Sequence, residues 1–270
     1  MTDLVARIAG LWRYPVKSCA GEAVDRLTLG ADGWPEGDRA WGIVDAAGEL
    51  TWMGAHPRLA LVQAQWQAST LRLQGLGRAV AVPLDGGADI TVRGWNGERQ
   101  AFDELQAWDG PDEAAALLQE ATGAPLRLVR LSLAAQRRPV LNALHLVGDG
   151  SLQAWQDALP RPLQAAAPRV RPNVVLTAAD GGPLTPFIED LITAATLGRL
   201  TLRRTGPCVR CVMTSIDPQS GVLQPPALDA LTQLSAERLP GEPVQFGIYV
   251  AGSGAGELRV GDEVELTLAF

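Results

Sequence analysis

The sequence predicts an α+β, β-rich fold: an N-terminal β-sandwich or barrel followed by a half that mixes strands with a few helices. Three observations predict it. From Leu4 to about Asn96, short apolar or alternating segments are separated by turn signals. A helical stretch at Asp112–Thr122 then breaks that pattern. No apolar run approaches the ~20 residues needed to span a bilayer. At 270 residues the chain has room for two ordinary domains, and a boundary is expected near residues 100 to 110.

The expected strands of the first region are VARIAGLWRY, AVDRLTLG, RAWGIVD, LALVQAQW, LRLQ, AVAVPL and DITVRGW, punctuated by ADG, DAAG, GG and NG. DEAAALLQEAT places acidic residues in its first turn and ends before Gly123, as a helix closed by a glycine does. Beyond it LRLVRL and LHLVG read as strands, and Asp149-Gly150-Ser151 as the cap of a short helix containing SLQAWQDAL. Leu159–Asn173 carries four prolines and three arginines and reads as a loop. VVLT, RLTLRR, VMTSI, PVQFGIYV and EVELTL read as strands, with a helix through ALDALTQLSAE. The eight tryptophans are expected mostly in the barrel core.

Hydrophobic residues at 47% and charged residues at 20% exclude wholesale disorder. A formal net charge of −7 opposes a nucleic-acid partner, because phosphate binding needs surplus cations. The opening MTDLVARIAGLWRYPVKS, with Asp3 before and Arg7 within its short apolar stretch, is unlike a secretory signal, so a cytoplasmic location and no membrane partner are expected. Three cysteines, Cys19, Cys208 and Cys211, suit reduced thiols or metal ligands better than a disulfide scaffold. Lys17 is the only lysine; every other basic position is arginine. An ammonium is a compact point charge where a guanidinium is a planar fork, so the neighbourhood of Lys17 is a candidate for crowded anion binding.

Gly206-Pro207-Cys208-Val209-Arg210-Cys211 sets two thiols three residues apart. A structural zinc site needs four ligands, and beyond these cysteines the chain offers only His56 and His145. A thioredoxin-like pair gains its reactivity partly from a helix N-terminus, whereas β-like VMTSI follows here. An inert pair is a third reading, and a single thiolate binding a soft metal a fourth. Arg203, Arg204 and Arg210 favour the thiolate and attract anions. Tyr14-Pro15-Val16-Lys17-Ser18-Cys19 and Gly37-Asp38-Arg39 each combine a cation with a turn, which suits an oxyanion. Arg171-Pro172-Asn173 directs an arginine ahead of VVLT. Cys19 and both histidines read as structural.

Taken in order, YPVKSC, GDRAW, RPNVVL, GPCVRCVMTSIDPQSG, FGIYV and LRVGDEVEL resemble the MOSC family with its companion N-terminal domain. The resemblance implies a MOSC N-terminal β-barrel domain over 1–105 and a MOSC β-barrel domain with a few helices over 106–270. It implies a molybdenum cofactor, a pterin dithiolene, whose metal is ligated by the catalytic Cys211. Lys17, Ser18, Arg39 and Arg171 match positions that hold the pterin and its phosphate, with Arg210 beside them. The implied activity is reduction of small N-hydroxylated substrates, as in the amidoxime reducers, with a cofactor carrier or sulfur-handling module as the alternative. RPVLN (138–142) departs from the reducers' Asp-Thr-Ser pattern, and DGPDE from their Asp-Cys-Gly-Glu. The chain carries no cysteine-rich iron–sulfur extension, so a separate flavin, haem or iron–sulfur protein is expected to donate electrons.

Overall fold

Strand β1 (Thr2–Arg13) runs the full height of a closed barrel in the computed structural model, which describes residues 2–269. Its buried side chains Ala6 and Ile8 keep the strand period of two, and a register shift between Ile8 and Gly10 resets the phase so that Leu11 is also buried. The chain continues through β2 (Glu22–Val24), β3 (Arg26–Leu29), β4 (Trp41–Val44), β5 (Gln63–Trp66), β6 (Thr70–Gly75), β7 (Arg78–Pro83), β8 (Asp89–Asn96) and β9 (Ala101–Asp109). Helix α1 (Asp112–Thr122) ends on Gly123 at φ +79°, the left-handed cap that its sequence predicts. β10 (Arg127–Leu131) and α2 (Leu133–Gln136) complete the first half.

The second half comprises β11 (Leu144–Gly148), α3 (Asp149–Asp157), α4 (Ala166–Val170), β12 (Val174–Ala178), β13 (Ile192–Leu197) and β14 (Leu200–Val209). After these come α5 (Pro226–Arg238), β15 (Gln245–Gly252), β16 (Gly256–Arg259) and β17 (Glu263–Leu268). Among the described residues, seven strands close the barrel in the order β1-β12-β11-β15-β14-β13-β17, with β17 returning to β1. Its interior holds Ile8, Leu146, Leu176, Leu202, Ile248 and Leu266. Each such side chain contributes about 1.5–3 kcal/mol by leaving water.

The N-terminal unit sets sheet β4-β10-β9-β8 beside β5-β6-β7, with Leu117 and Leu118 of α1 packed on Leu59, Leu71, Leu73 and Leu128. The two units interleave along the chain. β1 belongs to the barrel, whereas α1 and β10, beyond residue 105, belong to the first unit. No helix among the described residues is long and apolar enough to cross a membrane.

Four local expectations are corrected. VMTSI is a 3₁₀ turn over Val212–Ser215 rather than a strand. The proline-rich Leu159–Asn173 contains α4, a single helical turn. Asp149 and Ser151 do not cap α3; they reach across to accept the N–H groups of Leu184 (2.9 Å) and Phe187 (2.6 Å). Of the tryptophans, only Trp41 and Trp155 are fully buried, while Trp52 and Trp95 are exposed. Trp34 and Trp108 instead carry the guanidiniums of Arg137 and Arg130 on their faces, at 4.7 and 4.2 Å.

Ser151 also donates to buried Glu189 (2.8 Å), whose other oxygen has no partner among the described residues. Burial raises the Glu189 pKa from the ordinary 4.5 to about 7. Between those values an unfolded chain ionises Glu189 while the folded chain keeps it protonated, so stability falls as pH rises from 4.5 to 7 and levels off above. Urea unfolding across that window should show a loss of about 2–3 kcal/mol from this group. Glu189→Gln should remove that loss.

Candidate functional site

Three separated segments meet around Tyr14. Asp38, buried at 4% exposure, accepts the backbone N–H of Tyr14 (2.7 Å) and the side-chain amide of Asn173 (3.1 Å), and its second oxygen pairs with Arg39. Asn173 is fully buried and donates to the Trp12 carbonyl (3.1 Å). Its own oxygen accepts from the backbone of His145 (3.1 Å) and from Arg39 (3.2 Å). The Arg39 N–H donates to the Tyr14 carbonyl (2.7 Å), and the Lys17 N–H to the Trp41 carbonyl (2.9 Å). Arg171 donates to the Cys19 carbonyl (2.7 Å). The Tyr14 ring packs against both guanidiniums, Arg171 at 4.2 Å and Arg39 at 5.3 Å.

This arrangement brings together Lys17, Ser18, Arg39 and Arg171. Three of them, Ser18 (φ +71°), Arg39 (+51°) and Arg171 (+56°), occupy the left-handed region that side chains avoid. Such strain persists only where surrounding contacts over-determine it, and it gathers at binding sites. At Arg39 the bonds to Asp38 and Asn173 supply that over-determination.

The cluster carries more positive charge than its own acceptors satisfy. Lys17 has its pKa lowered to about 8 by burial and by the neighbouring Arg138 and Arg39. Arg171 has its own lowered to about 10, mainly by burial. The Ser18 hydroxyl, the Tyr14 hydroxyl, one Arg171 nitrogen and two Arg138 nitrogens are buried without a hydrogen-bond partner among the described residues. Buried donors left unmatched cost about 1–3 kcal/mol each. An anionic, acceptor-rich group such as a pterin phosphate fits this donor set.

The thiol loop is aimed by a bulge. Pro207 pairs with Ile248 and Val209 with Gln245, so Phe246 and Gly247 of β15 oppose the single residue Cys208. Gly247 supplies φ +74° at that bulge. Cys208 is buried at 1% exposure and accepts from Arg210 (2.8 Å). Burial alone would raise its pKa, but adjacent His145 and Arg210 outweigh that and lower it. Arg210 also donates to the Val170 carbonyl (3.0 Å) and lies 3.5 Å from the Thr214 hydroxyl. It therefore fastens the thiol loop to the residue preceding Arg171. Cys211 is exposed and starts the 212–215 turn, with its carbonyl accepting from the Thr214 N–H (3.1 Å).

A methyl group on Gly247 would meet the His145 imidazole at 2.4 Å and the Leu146 carbonyl at 2.7 Å. Gly247→Ala should cost about 2–3 kcal/mol in urea unfolding and displace the support behind Cys208.

Residues 5–125 match the family described as the MOSC N-terminal beta barrel domain, and residues 135–265 match the MOSC domain. The chain belongs to the MOSC family. Mitochondrial amidoxime-reducing component 1 of Homo sapiens is 27% identical over 97% of this chain and 83% of its own length. Molybdenum cofactor sulfurase of Danio rerio is 27% identical over 92% of this chain, which spans 32% of that relative. The crystal structure of the YUAD protein of Bacillus subtilis shares the fold across 100% of this MOSC chain and 99% of its own, with a TM-score of 0.51 at 12% identity.

In this MOSC chain the structure gives roles to three motif residues to which the sequence assigned none. Asp38 and Asn173 lie inside GDRAW and RPNVVL, yet their role is to tie residues 135 positions apart, which no local pattern reveals. Tyr14 opens the YPVKSC motif, but its packing against Arg39 and Arg171 joins segments far apart in sequence. Cys19 is a buried thiol pushed up to about 12 by burial, consistent with its structural reading. Among the described residues no group of three or more His, Cys, Asp or Glu side chains is placed to hold a metal, which leaves the zinc reading without a ligand set.

Proposed function

We propose that this MOSC protein is a molybdenum-cofactor oxidoreductase that removes oxygen from small N-hydroxylated substrates. One observation carries the reading: Arg210 fastens the loop bearing exposed Cys211 to the turn bearing Arg171, beside a cluster of unmatched buried donors. Lys17, Ser18, Arg39 and Arg171 would hold the pterin and its phosphate, and the Cys211 thiolate would ligate the metal. When bound, the cofactor supplies the two-electron chemistry.

This chain's own residues do the rest. Arg210 ties the loop that carries Cys211 to the Val170 carbonyl, next to Arg171. The Tyr14 ring packs against the guanidiniums of both Arg39 and Arg171. Two electrons and two protons reach the site for each substrate, the nitrogen losing its oxygen as water. A separate flavin, haem or iron–sulfur protein would donate the electrons.

The likeness to the sulfurase supports a second reading, a carrier or sulfur-handling module without turnover. An assay of the molybdenum-loaded protein with reductant and an N-hydroxylated amidine, purine or hydroxylamine separates the two. Reduction that depends on Cys211 supports the oxidoreductase. Tight cofactor binding with transfer to an apo-enzyme and no reduction favours the carrier.

A further inference from the structure

Cys208 and Cys211 share one motif but not one environment: Cys208 is buried and Cys211 is exposed. The cofactor reading gives Cys211 a task and Cys208 none. Three side chains from three segments nevertheless converge on the Cys208 sulfur. Arg210 donates to it from Nη1 (2.8 Å). His145 of β11 and Tyr249 of β15 lie within hydrogen-bond reach of the same atom. The His145 ring is itself buried and fixed, with Nε2 3.1 Å from the Phe246 carbonyl and its edge against the Tyr249 ring, 5.9 Å between centroids. A neutral thiol is a weak acceptor. A thiolate matches a fixed cation and two further donors.

Arg210 poses the complementary requirement. Its partners among the described residues are the Cys208 sulfur, the Val170 carbonyl (3.0 Å) and, at 3.5 Å, the Thr214 hydroxyl, with no carboxylate among them. Its Nε is buried without a partner. A guanidinium drawn out of water needs an anion beside it, or the cost of burying its charge goes uncompensated. Of the groups it touches, only Cys208 can become one. Burial of the sulfur opposes that charge, and His145 and Arg210 together overcome the opposition.

We propose that Cys208 is a thiolate in the folded chain and the counter-ion of Arg210, which makes it the positioning residue for the loop that carries Cys211. The pair holds Nη1 on the sulfur and leaves Nη2 for the Val170 carbonyl, one residue before Arg171. The first cysteine of the motif thus anchors the second. That the anchored loop carries a metal ligand rests on the cofactor reading, whereas the ion pair does not.

The ultraviolet absorption of the thiolate reads the charge directly, on the cofactor-free full chain carrying Cys211→Ser. Only Cys19 and Cys208 then remain, and Cys19 stays protonated because burial pushes it up to about 12. One thiolate per chain is expected at neutral pH, against roughly a few per cent for an ordinary cysteine. Adding Cys208→Ser should abolish it, and Arg210→Met, which removes the stabilising charge, should move its appearance to higher pH. Trypsin reads the anchoring, because it cuts after arginine. Cys208→Val accepts no hydrogen bond and should speed cleavage between Arg210 and Cys211 about tenfold, with cuts at other arginines unchanged. Cys208→Ser, whose hydroxyl still accepts, should fall between, and its rate decides if the valine variant unfolds and is cut everywhere. A protonated Cys208 at neutral pH, a thiolate indifferent to Arg210→Met, or cleavage after Arg210 no faster than in wild type would overturn the proposal. None of these readouts needs molybdenum, so they stand or fall apart from the cofactor reading.

Discussion

Asp38→Ala is expected to lower stability by about 3 kcal/mol and to empty the cofactor cradle. Two buried donors lose their acceptor at once, the Tyr14 N–H and the Asn173 amide, and each unsatisfied group costs about 1–3 kcal/mol. The Arg39 ion pair adds less, since that side chain is a third exposed and solvent screens it. The larger consequence is geometric. Ser18, Arg39 and Arg171 hold left-handed backbone that only the surrounding bonds enforce. Without Asp38 that strain is expected to relax, and the cations spread apart. Asp38→Asn keeps an acceptor for Tyr14 and should cost roughly a third as much. Urea unfolding with metal analysis measures both effects. A loss below 1 kcal/mol for the alanine variant, with full molybdenum, would mean that Asp38 does not organise the site.

Much of this was legible in the sequence, and the reason is local chemistry. The Asp112–Thr122 helix declared itself by its acidic first turn and Gly123. Lys17, Ser18, Arg39 and Arg171 were singled out by the resemblance to MOSC motifs; a cation beside a turn is by itself common on ordinary surface. What stayed hidden depends on contacts distant in sequence. β1 closes the barrel against β12 and β17, so the N-terminal segment completes the second unit. The VMTSI segment has β-forming composition, but the chain must turn sharply after Cys211, and the 3₁₀ turn prevails over propensity. The inequality of Cys208 and Cys211 comes from the Gly247 bulge on a strand nearly forty residues away, which turns one thiol inward against Arg210 and leaves the other exposed.

Cys211→Ser bears on the central claim, that one exposed thiolate at the rim of a cationic cradle holds molybdenum. Serine keeps the size and hydrogen-bonding capacity of the side chain, and the exposed position tolerates it, so folding should be unchanged within about 0.5 kcal/mol. A hydroxyl is a poor ligand for a soft metal. Cys208→Ser is the matched control, because that thiol faces Arg210 rather than the open rim. The decisive measurement is the molybdenum-to-protein ratio, by elemental mass spectrometry, of wild type and both variants purified from a host that makes the cofactor. A near-stoichiometric wild type, a Cys211→Ser protein depleted of molybdenum and a Cys208→Ser protein that retains most of it are the predicted result; a folded wild type without molybdenum, or a Cys211→Ser protein that keeps it, would contradict the account.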